Sequence, residues 1–279
     1  MKRERRNLFQ RSASLMLAVV MVLSVIVVMP KDVKAANMTL PSGGGSVAIT
    51  DAQSTIVSGE DTIISYTAAK DGYLQLTFSN ATAIKQSPIS GFAWGQVMLC
   101  SASGVALSPK FTYNTNDAQA AFFSEAYGVK KGTAYQIRVS SAGGVNISAK
   151  FTASKKKDNK NTKKGKAVNL KRKKKVVGVI TSGTTTAHWY KFKVTKNQKL
   201  NVGVTAHFTG TVKVTISGPG VRKGGGYVTS RWVEGNSDKS VWGIRSPFTT
   251  TGKVKTGTYY VQIKPTTRTC GGYFKIDWK

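Results

Sequence analysis

The chain has 279 residues, 40 % of them hydrophobic, and 42 Lys or Arg against 12 Asp or Glu give it a formal net charge of +30. This length suffices for two domains that each bury a core. Two Cys and two His are scattered at no ligand spacing for zinc, and so one-sided a charge draws polyanions.

The first element is a leader. Lys2, Arg3, Arg5, Arg6 and Arg11 form a positive start, Leu15 to Met29 is apolar apart from Ser24, and Val33-Lys34-Ala35 suits signal peptidase. The expected signal peptide is 1–35. Its apolar run, closed by Pro30, falls short of the roughly 20 residues that cross a bilayer.

Residues 36–153 then show strand periodicity. Leu74, Leu76 and Phe78 alternate with polar neighbours, as do Val97 and Leu99, then Tyr135, Ile137 and Val139, then Val145 and Ile147. Turn formers such as Asp71-Gly72 and Ser103-Gly104 separate them. The stretch 154–170 is Lys-rich and predicts an extended, self-repelling linker. Beyond it, residues 171–279 alternate again. Val176 to Ile180 is the expected first strand, followed by Phe192 and Val194, then Leu200, Val202 and Val204, then Val212, Val214 and Ile216, then Tyr259, Val261 and Ile263, and finally Phe274, Ile276 and Trp278.

The second half echoes the first. Lys70-Asp71-Gly72 before Leu74 is answered by Lys196-Asn197-Gln198 before Leu200, Gly132-Thr133 by Gly257-Thr258, and Gly143-Gly144 by Gly271-Gly272. The offsets are 126, 125 and 128 residues, so an ordered set of elements recurs at nearly constant spacing. The expected fold class is all-β: two tandem antiparallel β-sandwiches of jelly-roll or Greek-key type, joined by the Lys-rich linker.

Charge divides unevenly between the halves. Residues 36–153 hold seven bases and six acids, whereas 166–279 hold 22 bases and three acids. Two candidate sites follow from this excess. One is the run Lys171, Arg172, Lys173, Lys174 and Lys175. The other is the stretch from Val221 to Phe248, where Arg222, Lys223, Arg231 and Arg245 interleave with Tyr227, Trp232 and Trp242. If those rings are exposed they make a stacking platform between bases; if they lie on inner strand faces they are core.

The string from His188-Trp189-Tyr190-Lys191-Phe192 through Leu200, followed by Gly257-Thr258-Tyr259-Tyr260-Val261 and a closing strand after Gly271-Gly272, resembles the bacterial pre-peptidase C-terminal domain. The likeness covers the second half and, more weakly, the first. It implies a jelly-roll-like sandwich with an accessory role beside exported enzymes, akin to the collagen-binding modules of clostridial collagenases. Those relatives also imply calcium; Asp51, Glu60, Asp61 and Asp71 offer oxygen ligands for it but lack the spacing of a calcium loop, and solvated strand ends and turns explain them as well. No cofactor is otherwise expected.

Catalysis finds no support. His188 and His207 have no nucleophile at recognisable spacing. The acids of the second half are Glu234 and Asp238, which flank a glycine turn, and Asp277, on the outward alternation of the last strand. Cys100 and Cys270 lie one per half at positions that do not correspond, and free thiols are expected.

The expectation is a secreted, wall-associated, non-catalytic binding module that holds an anionic polymer (teichoic acid, acidic glycan or extracellular nucleic acid) through its second half. The alternatives are a spacer or accessory protein for a separately encoded exported enzyme, and a collagen or carbohydrate binder.

Overall fold

The alternating runs are strands that pair into four sheets. The structure, a computed structural model, describes residues 37–49, 61–80, 94–115, 121–122, 126–155, 160–221, 230–234, 240–244 and 253–279. The leader 1–35 lies outside them.

The first half contributes β1 (Asn37–Leu40), β2 (Gly44–Ile49), β3 (Thr62–Thr67), β4 (Gly72–Asn80), β5 (Trp94–Ser101), β6 (Phe111–Asn114), β7 (Ala121–Phe122), β8 (Tyr127–Val129), β9 (Ala134–Ala142) and β10 (Val145–Ala153). The second contributes β11 (Val168–Asn169), β12 (Val176–Ile180), β13 (His188–Val194), β14 (Leu200–Thr209), β15 (Thr211–Ser217), β16 (Ser230–Glu234), β17 (Ser240–Ile244), β18 (Gly257–Pro265) and β19 (Gly271–Trp278).

The echo seen in the sequence is an echo of topology. The first half has sheet orders β1-β3-β9-β5-β6 and β2-β10-β4-β7, and the second has β11-β13-β18-β15-β16 and β12-β19-β14-β17, matching strand for strand. Even the one parallel pairing among the described strands of each half, β1 with β3 and β11 with β13, recurs. The predicted alternating residues are the cores. Leu74, Leu76, Phe78, Ile137 and Val139 are buried in one sandwich, and Phe192, Val202, Val214, Val261 and Phe274 in the other. Each sandwich closes because both of its sheets present one apolar face.

β8 has no counterpart among the described residues of the second half, and it makes the contact between the sandwiches. It pairs with β4 and lies against β19. Ser182 N donates to Gly128 O at 2.9 Å, and Tyr73 stacks on Tyr273 with ring centroids 4.1 Å apart. Ala126, Val179 and Tyr273 form a separate small core there, with Tyr73 and Val177 packed against it. Burial and the neighbouring Tyr73 push the Tyr273 phenol up, while a hydrogen bond with Gln75 opposes the shift. Two glycines permit this approach. A Cβ on Gly128 would meet the Ile180 carbonyl, and Gly272, at φ +140°, would place one 2.5 Å from the carbonyl oxygens of Ala126 and His207. Ala35–Lys279 is accordingly one compact unit.

The linker expected over 154–170 joins the second sandwich well before its end. Residues 156–159 lie outside the described residues, but from Asn161 onward the segment is built into the second sandwich. Asn161 is fully buried, donating from Nδ2 to Trp189 O at 3.1 Å and accepting at its backbone oxygen from Trp189 N at 2.8 Å. β11 then adds an edge strand beside β13, and Leu170 enters the core. So the first strand of this sandwich is β11, one element ahead of the expected Val176–Ile180. Two apolar residues and one satisfied amide outweigh the mutual repulsion of lysines that remain in water.

Candidate anion-binding surface

The run Lys171–Lys175 is a tight turn at one pole of the second sandwich. Just before it, Leu170 N donates to Lys191 O at 2.7 Å, and Leu170 O accepts from Trp278 Nε1 at 3.1 Å. Within the turn Lys174 N donates to Lys171 O at 3.1 Å, and Lys173 N to Trp278 O at 2.8 Å. Lys173 stands at φ 61°, the one positive value outside glycine among the described residues. All five bases are exposed, and the Arg172 guanidinium lies 5.9 Å from the Trp278 ring centroid. Short backbone anchors on both sides therefore fix five like charges in a small space.

Strand direction brings further bases to the same pole. β12 pairs antiparallel with β19, β19 with β14, and β13 with β18. Hence the starts of β12, β14 and β18 and the ends of β13 and β19 all lie together. Lys196 and Lys199 are in the turn between β13 and β14, Lys253 and Lys255 precede β18, and Lys279 follows β19; all five are exposed. The Gln198–Val254 bridge and the paired Asn201 and Lys279 backbones tie these segments to one another. Sequence reasoning missed these five because each is an isolated lysine beside a predicted strand end. Only the strand pairing makes them neighbours.

Among the described side chains of 160–279 the sole carboxylate is Asp277, and it is buried. It keeps the outward alternation expected of it, opposite Gly203, but is covered. The near-neutral first sandwich meets the second around Ile180, Ser182, Gly272 and Tyr273, at the end of β12 and the start of β19. The basic turn lies at the opposite ends of those strands. Of the other candidates, Arg222, Lys223, Tyr227 and Arg245 lie outside the described residues. For Arg231, Trp232 and Trp242 the backbone alone is described, in β16 and β17. Their Cα partners are Val214, Lys213 and Val202.

The two histidines serve packing. His188 is buried, its Nδ1 3.0 Å from Asn161 Oδ1, and its ring is edge-on to Phe274. His207 stacks on Tyr273 at 4.6 Å between centroids. Cys100 and Cys270 are free and buried, and burial pushes the Cys270 thiol up to about 12. Of the calcium donors, Asp71 accepts from Lys131 N at 2.8 Å through Oδ1, and Asp51 and Glu60 lie outside the described residues. Among the described residues no group of three or more His, Cys, Asp or Glu could hold a metal, and no helix is long and apolar enough to cross a membrane.

No protein-family profile matches the chain, and no curated protein matches it. Among solved structures it is similar to the pre-peptidase C-terminal domain of collagenase from Bacillus anthracis, at 14 % identity and a TM-score of 0.31, covering 40 % of this chain and 94 % of that one. It is also similar to the CBM22-1-CBM22-2 tandem of Paenibacillus barcinonensis Xyn10C, at 11 % identity and 0.25, covering 84 % and 81 %. A third is the CUB1-EGF-CUB2 region of human MASP-1/3, at 7 % identity and 0.24, covering 85 % and 100 %. Likenesses this distant add nothing to the reading of the surface. What the chain itself defines is an all-β protein of two repeated sandwiches, one of which carries a basic pole.

Proposed function

We propose that the protein is an exported, non-catalytic binding module whose second sandwich attaches to an anionic polymer of the cell wall or extracellular space. The observation that carries this reading is the exposed Lys171–Lys175 turn, anchored by Leu170 and Trp278 and joined at its pole by Lys196, Lys199, Lys253, Lys255 and Lys279. The leader supplies the route of export, and the sandwiches supply a rigid mount. A polymer that binds there displaces its own counter-ions, so attachment is driven by ion release and weakens steeply with salt. It also relieves the repulsion stored among the bases. Signal peptide 1–35, sandwich 36–153 and a basic second sandwich that begins at Asn161 are the parts of this reading.

The test uses the whole mature chain, because separating the sandwiches would strip the apolar contact of Tyr73, Ala126 and Tyr273. Binding to polyphosphate is measured across a salt series for the parent and for K171Q/R172Q/K173Q/K174Q/K175Q. Each neutralised contact contributes roughly 0.7 to 0.9 to the log–log slope, so the variant's slope should be shallower by about 3 to 5. An unchanged slope rejects the proposal.

A further inference from the structure

The geometry points to a second subsite on the outer face of the β11-β13-β18-β15-β16 sheet, shaped for the sugar rings of an acidic polysaccharide. This rests on the proposed function for its anionic polymer and names the class of that polymer.

The first sandwich packs on the outer face of the other sheet, around Val179 and Tyr273. Burial alternates cleanly along β13, β15 and β18: Tyr190, Phe192, Tyr259, Val261, Val212 and Val214 point inward. The residues between them form cross-strand rows. Trp189 is opposite Gln262, which is opposite Thr215. One row nearer the basic pole, Lys191 is opposite Tyr260 and Tyr260 opposite Ser217; one row on the other side, Lys264 is opposite Lys213. Trp189, Tyr260 and Gln262 are half-buried, each between buried neighbours along its strand.

Each row has a chemical meaning for a sugar. A half-buried tryptophan on this face offers an apolar plate for the C–H face of a pyranose. Beside it the Gln262 amide, which both donates and accepts, matches ring hydroxyls. Lys191 and Lys264, one row away on either side, would meet carboxylate or sulfate groups. A hydroxyl-matching amide between cations suits a chain whose charges are spaced by neutral hydroxyls. A nucleic acid would use successive bare aromatic faces, yet one face of Tyr260 carries the Lys164 ammonium, 4.6 Å from the ring centroid. That lysine comes from Lys164–Lys166, a single 3-10 turn in the segment the sequence marks as linker, so the built-in part of that segment helps form the face.

The experiment measures binding of the mature chain to polygalacturonate, to polyphosphate and to single-stranded oligothymidylate at one fixed ionic strength. W189L and Q262A are each expected to weaken polygalacturonate binding about tenfold while leaving polyphosphate binding within twofold. W189F, which keeps a smaller ring, should fall between W189L and the parent. Q262A changes no apolar residue, so it carries the test if W189L fails to fold. Equal losses for polygalacturonate and polyphosphate, no loss for either, or an equal loss for oligothymidylate overturns the subsite. A parent chain that ignores polyphosphate altogether overturns the proposed function instead, and leaves the polygalacturonate comparison to decide the face on its own.

Discussion

Gly128→Ala tests whether the two sandwiches act as one body. The added methyl would fall far inside van der Waals contact with the Ile180 carbonyl oxygen and 2.9 Å from Gly272 N. Both neighbours are strand backbone, so no rotamer change relieves the clash, and β8 must withdraw from β19 by more than an ångström. Withdrawal breaks the 2.9 Å bond from Ser182 N to Gly128 O, for about 1 kcal/mol. It also loosens the Tyr73–Tyr273 stack, for about 0.5–1.5 kcal/mol beyond area, and uncovers part of the small core of Ala126 and Val179. Together the loss is about 2–4 kcal/mol, or a fall in Tm of roughly 5–15 °C for a protein of this size. Calorimetry of the mature chain reads it directly, with one transition expected for the parent and two for the variant. Gly165→Ala is the control, since its Cβ would meet nothing within 4 Å. A G128A protein that melts within about 1 °C of the parent, in a single transition, refutes the reasoning.

Lys173 separates backbone strain from charge. K173G and K173A remove the same ammonium, but glycine accepts φ 61° without its side-chain cost, so K173G should be the more stable by about 1 kcal/mol in urea unfolding with equal salt slopes. K173A equal to or above K173G would mean that the turn is not held in that conformation. Alkaline stability follows from buried acids whose pKa values are raised. Burial pushes Cys270 from 9.0, and Tyr66 and Tyr113 from 10.0, up to about 12. The unfolded chain loses these protons first, so stability is fully present below pH 9 and declines between pH 9 and about 12. A urea midpoint that holds or rises over that window contradicts the burial. At pH 8 a thiol reagent should reach Cys100 and Cys270 only on unfolding, and prompt labelling of the native chain would contradict it too.

The sequence by itself determined the strands, their inward faces and their duplication. These are written locally: a period of two in Leu74-Gln75-Leu76-Thr77-Phe78, and a glycine where a turn needs one. It also determined the charge asymmetry, which requires only counting. What tertiary structure alone decided is which residues become neighbours. Lys196, Lys199, Lys253, Lys255 and Lys279 are scattered over more than eighty positions, and antiparallel pairing with β18 and β19 brings them to the pole where Lys171–Lys175 turns. The segment from Asn161 to Leu170 reads as tether by composition, yet it folds back as an edge strand because His188 and the Trp189 backbone, far along the chain, satisfy the Asn161 amide. Likewise Tyr73 and Tyr273 look like ordinary outward strand residues, and only the approach of β8 to β19 makes them partners. Periodicity is a property of adjacent residues, whereas register and docking depend on contacts between distant ones, and no local pattern encodes those.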